Sequence, residues 1–128
     1  MFPNQAGCSC SSAGKTGPKL IFSCSGAADV GELADRAARR LNREGAGKMF
    51  CLAGVGGQVQ GIVKSTEAAQ SILVIDGCPL DCAKNTMQQA GFKRIAQLRL
   101  NDLGMEKGKT EVNEQNLAKV VERAKFFL

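Results

Sequence analysis

The sequence predicts an α/β fold: a single-domain, three-layer arrangement with a mostly parallel four-stranded sheet and helices on both faces. Three observations predict it. Short apolar runs alternate with segments of helical period, the pattern that builds parallel strands joined by right-handed crossovers. The run Ser71-Ile72-Leu73-Val74-Ile75 is apolar at consecutive positions, as a strand covered on both faces must be. The chain has 128 residues, 44% hydrophobic and 23% charged, which is enough to bury one core without disulfide staples.

Residues 1–18 are rich in Gly, Ser and Cys and read as a flexible leader; residues 19–128 read as the α/β domain. Leu20-Ile21-Phe22 is a short strand that ends in the turn Ser23-Cys24-Ser25-Gly26. Asp29 and Glu32 resemble a capping box, and Val30, Leu33, Ala34, Ala37 and Leu41 follow at helical spacing until Gly45 and Gly47. Met49-Phe50-Cys51-Leu52 is the second strand, and Gly54-Val55-Gly56-Gly57 a turn after it. A weaker helix is expected from about Gln58 to Ala69, then the strand ending at Ile75. Pro79 suits the first position of a helix running to about Ala90, where Gly91 stops it. Ile95 to Leu100 makes a fourth strand, residues 101–110 a loop, and Leu117, Val120, Val121, Ala124 and Leu128 mark a last amphipathic helix.

Composition excludes several function classes. The chain has no histidine, so imidazole acid–base chemistry and His-activated nucleophiles are absent from it. No apolar run reaches the ~20 residues that span a bilayer, and the first residues lack the basic and apolar regions of a signal peptide. A cytoplasmic, reducing compartment is therefore expected, in which six cysteines serve as thiols or metal ligands. The net charge of +5 is spread among interleaved acids with few aromatic residues, which argues against nucleic acid as a partner.

The chemistry is expected where ligands bind in open α/β sheets, beyond the carboxyl ends of the strands. Cys24, Cys51 and Cys78 fall there, each near a glycine-bearing turn, and Cys82 follows Cys78 by one helical turn. Thiolates at such a site suit a zinc ion, whose sulfur bonds are about 2.3 Å long. Asp76 is expected to bond turn amides, and Asp81 to complement the dipole of the helix it opens. Cys8 and Cys10 form a separate pair that could extend the ligand set.

The segments Cys24-Ser25-Gly26-Ala27-Ala28-Asp29-Val30-Gly31, Cys51-Leu52-Ala53-Gly54-Val55-Gly56-Gly57 and Ile75-Asp76-Gly77-Cys78-Pro79-Leu80-Asp81-Cys82-Ala83-Lys84 resemble the DGC-domain family, named after its Asp-Gly-Cys motif. The resemblance spans about residues 19–127. It implies a zinc ion held by four cysteines, which map here onto Cys24, Cys51, Cys78 and Cys82, and it implies no defined enzymatic activity. The expected role is metal sequestration, delivery or sensing. The alternatives are thiol redox or sulfur transfer, with Cys78 as nucleophile and Cys82 resolving, and an iron–sulfur cluster.

Overall fold

A computed structural model describes residues 16–128. In chain order its elements are strand β1 (Lys19–Ser23), helix α1 (Asp29–Arg43), strand β2 (Lys48–Met49), helices α2 (Leu52–Gly56) and α3 (Gln60–Glu67), strand β3 (Ser71–Asp76), helix α4 (Cys82–Gln89), strand β4 (Ala96–Arg99), a 3-10 turn (Leu100–Leu103) and helix α5 (Glu114–Lys125). The strands lie in the order β2-β1-β3-β4, and all their pairings are parallel. The predicted fold class holds.

Side-chain alternation explains the two layers of helix. Successive strand residues point to opposite faces. Ile21, Leu73, Ile75 and Leu98 pack with the buried stripes of α1 and α5, among them Leu33, Leu41 and Val120. Leu20, Phe22 and Val74 point the other way, onto Val55 of α2 and Ala83 and Met87 of α4. Each fully buried leucine or isoleucine stabilises the fold by about 1.5–3 kcal/mol. Ala34, Ala37 and Ala38 let α1 approach the sheet closely.

Most of the expected leader lies outside the described residues, as do Cys8 and Cys10. The Pro18 carbonyl accepts a hydrogen bond from the Gln70 amide at 2.9 Å, which ties the chain to the approach to β3 just before β1 begins.

Several boundaries differ from expectation, each for a local reason. Strand β2 stops at Met49, and Cys51 instead caps a short helix. The segment expected as a glycine turn is that helix: Val55 is fully buried, and its packing outweighs the poor helix propensity of its glycines. The helix expected over 58–69 is shortened to α3, because Gln58 adopts a left-handed backbone (φ 58°) and breaks it from α2. Asp29 is not a capping-box residue, since Ala28 holds the cap position and Asp29 lies inside the helix. Pro79 does not open α4: Cys78 to Leu80 form a turn, Asp81 is left-handed (φ 55°), and the helix starts at Cys82. The fourth strand gives way to the 3-10 turn at Leu100.

Candidate metal centre

The β1 and β3 connections leave in opposite directions along the sheet, since β1 leads to β2 at one edge and β3 leads to β4 at the other. Such a switch point opens a crevice at the carboxyl ends of the two strands. Cys24 follows β1 directly, with its amide bonded to the Ile75 carbonyl at 3.1 Å. Cys78 follows β3 across Gly77. A cavity of about 290 Å³ opens there, and Cys24, Cys78 and Cys82 all line it, together with Asp76, Leu80 and Lys107. Cys24 and Cys78 are half-buried and Cys82 is exposed.

Asp76 explains why this edge is rigid. Its carboxylate is buried, with 1% of the residue exposed. It accepts the Ala83 amide at 2.8 Å, the Lys84 amide at 3.1 Å and the Gln97 side-chain amide at 3.0 Å. The end of β3 thus satisfies the first-turn donors of α4, which no side chain at the cap position does. The expected hydrogen-bonding role of Asp76 holds, with helix amides as the donors.

Asp81 does something other than expected. It precedes the helix, and its carboxylate takes a two-point contact from Arg99, at 2.9 and 2.7 Å, and a bond from Gln97 at 2.8 Å. The Arg99 guanidinium holds its carboxyl below the usual carboxylate range. This contact pins the turn carrying Cys78 to strand β4. Cys78 and Cys82 therefore do not share a helix face as i,i+4 neighbours; the turn brings both to the cavity.

Burial pushes the Cys24 thiol up, and the nearby Asp76 and Cys78 push the same way, against hydrogen bonds with the Gly26 and Gly77 backbone. Cys24 is thereby held as a neutral thiol, which makes it a poor nucleophile at neutral pH but leaves it able to surrender its proton to a metal.

Cys51 stands apart. It is exposed, it caps α2 by accepting the Gly54 amide on Sγ at 3.2 Å, and it lines a neighbouring cleft that shares Cys24 as a wall. Among the described residues, no group of three or more Cys, Asp or Glu side chains is gathered closely enough to hold a metal ion. The donor chemistry suits zinc, whereas the positions form an open crevice, so an ion would have to draw the thiols together.

A model of the DGC domain matches residues 20–124. The chain belongs to the DGC domain family. It is also 38% identical over 88 residues, covering 69% of this chain and 67% of the relative, to a Pseudomonas aeruginosa protein named anaerobic and virulence modulator AnvM. No solved structure matches the chain. No helix among the described residues is long and apolar enough to cross a membrane.

Sequence reasoning missed two features at this edge of the sheet. One is the Asp81–Arg99 contact, hidden because nothing in the sequence marks Asp81 as left-handed. The other is the polar wall of the cleft beside Cys51, formed by Asp35, Arg39 and Arg43. Their i,i+4 spacing was visible, but it looked the same as the ordinary solvated face of α1.

Proposed function

We propose that this DGC-domain protein binds a soft metal ion, zinc first, through Cys24, Cys78 and Cys82, and that occupancy of the site serves metal sensing, delivery or sequestration. The observation that carries the reading is the common cavity these three thiols line at the switch point of the sheet. Zinc would supply a cross-link between the ends of β1 and β3 and the start of α4. The fourth ligand would come from Cys51, on releasing its bond to the Gly54 amide, or from the Cys8–Cys10 pair. Four thiolates would close the site and make it structural or regulatory, not hydrolytic. AnvM is named a modulator, which suits a regulatory role better than a metabolic one.

The test is zinc stoichiometry and affinity on protein purified without added metal or affinity-tag histidines, for the wild type and for Cys→Ser variants at each of the six cysteines. Cys24→Ser, Cys78→Ser and Cys82→Ser should each lower affinity more than about tenfold, since losing even an outer-shell partner of a ligand costs that much. Whichever of Cys51→Ser and the Cys8/Cys10 double variant matches that loss identifies the fourth ligand. Binding unchanged by Cys78→Ser would overturn the reading. Visible absorption of the isolated protein would transfer the site to iron.

A second reading is thiol redox between Cys78 and Cys82. The exposure of Cys82 favours it. Cys82 then replaces Cys78 as the attacking thiol, because it is the more accessible. One fast-alkylating thiol at Cys82, with no bound metal, would select this reading.

A further inference from the structure

The turn that brings Cys78 and Cys82 to the crevice has little packing of its own. Pro79, Leu80 and Cys82 are exposed, Leu80 to 64%, and Cys78 is half-buried. Inside the turn, the Asp81 amide donates to the Cys78 carbonyl at 3.2 Å and the Asn85 side-chain amide to the Leu80 carbonyl at 3.2 Å. Asp81 itself is left-handed, at φ 55° and ψ 41°. A residue with a Cβ disfavours that conformation, so the shape that presents both thiols is not one the local sequence prefers. Strand β4 supplies what holds it. Alternate residues of a strand share a face, and Gln97 and Arg99 both reach the turn. Arg99 takes both oxygens of Asp81, at 2.9 and 2.7 Å. Gln97 donates to Asp81 at 2.8 Å and to Asp76 at 3.0 Å, so residues on either flank of Cys78 are tied to one side chain. The Arg99 and Asp81 side chains are only 27% and 18% exposed, which strengthens a two-point charged contact relative to one in open water. Arg99 is not among the residues that line the cysteine cavity.

We propose that Arg99 is a positioning residue for the metal site: from β4 it holds Asp81 left-handed and so keeps Cys78 and Cys82 at the crevice they share with Cys24. The inference rests on the metal reading above, and adds that the site is shaped before metal arrives, by a strand that carries none of the cysteines. Without the guanidinium the turn relaxes toward ordinary backbone conformations. Only a fraction of the molecules then presents both thiols, and the apparent affinity for metal falls by that fraction.

The experiment measures zinc affinity of the full chain by competition with a chelator, and amide exchange on the same proteins stripped of metal. Arg99→Gln should weaken zinc binding about fivefold or more, the cost of an unsupported left-handed residue. In that background Asp81→Gly should regain most of the lost affinity, because glycine takes a left-handed backbone unaided, whereas Asp81→Ala should not. The two double variants carry the same charge and lack the same side-chain bonds, so backbone freedom alone separates them. Should Arg99→Gln by itself fail to fold, this comparison still decides. In metal-free protein the Asp81 and Asn85 amides, which donate to the Cys78 and Asp81 carbonyls, should exchange faster in Arg99→Gln than in the wild type. Leu20→Val, at the far end of β1, gauges general loss of stability: it should lower the urea midpoint and move zinc affinity by less than about twofold. Zinc affinity unchanged in Arg99→Gln, equal affinities of the two double variants, or an equal loss in Leu20→Val would overturn the proposal and leave the metal reading standing. A wild type that binds no zinc would overturn the metal reading, and this proposal with it.

Discussion

At the scale of single residues, two aspartates show how this molecule uses charge where it lacks histidine. Asp76 is buried and its carboxylate serves three donors. Removing it leaves the buried Ala83 amide and the half-buried Lys84 amide without their acceptor, and takes one of the two acceptors of the Gln97 amide. Asp76→Ala should destabilise the fold by about 2–4 kcal/mol, read as a drop in urea midpoint, with Asp76→Asn less severe because one acceptor survives. Asp29 works at the surface. It accepts the Gly108 amide at 2.9 Å, the Thr110 amide at 3.0 Å and the Val30 amide at 2.7 Å, so one carboxylate ties the 104–112 loop to the start of α1. These bonds, that from Gly108 foremost, hold its carboxyl below the ordinary aspartate value. A depressed native value means the contribution is full above the unfolded value of about 3.9 and is lost as the pH falls through the lower native one. Wild type should therefore exceed Asp29→Asn in stability at neutral pH, and the gap should close on acidification. Urea midpoints across about pH 2 to pH 6 check this, and a gap independent of pH would show that the charge is not the cause.

At the scale of elements, the Asp-Gly-Cys turn depends on how closely β3 approaches α1. A Cβ on Gly77 would sit 2.8 Å from the Val30 carbonyl carbon and 2.9 Å from its oxygen, so the strand end could not stay where it is. Gly77→Ala should cost about 1–3 kcal/mol and weaken metal binding, since Asp76 and Cys78 move with it. Gly61 in α3 meets nothing within 4 Å, and Gly61→Ala should be neutral or stabilising by up to about 1 kcal/mol. Thermal or urea unfolding of the pair distinguishes a packing effect from a propensity effect. Elements also show what could be read in advance. The stripe Val30-Leu33-Ala34-Ala37-Leu41 foretold α1, and the unbroken run 71–75 foretold a central strand, because in both the burial pattern is written in residue type. Helix α2 was hidden by its glycines. The start of α4 was hidden by the left-handed Asp81, a conformation fixed by a guanidinium on another strand and invisible locally.

At the scale of the whole molecule, strand order decides where chemistry can occur. The order β2-β1-β3-β4 places the ends of β1 and β3 side by side, so cysteines far apart in sequence come to one crevice. That Cys24, Cys51 and Cys78 lie just past the carboxyl ends of β1, β2 and β3, with Cys82 after Cys78, was legible from strand ends alone. Their division into a three-thiol crevice and a separate thiol cleft was not, because it depends on Cys51 capping a helix that the sequence does not announce. The fold's own stability comes from two apolar layers, one on each face of the sheet. A metal would add a clamp at one edge, between the ends of β1 and β3 and the start of α4. The account rests on sulfur from Cys24, Cys78 and Cys82 surrounding one ion, and X-ray absorption at the zinc edge of the loaded protein counts those atoms directly. Three or four sulfur neighbours at about 2.3 Å, falling by one in Cys78→Ser, is the predicted result. A shell of oxygen alone, or one unchanged by that substitution, would contradict it.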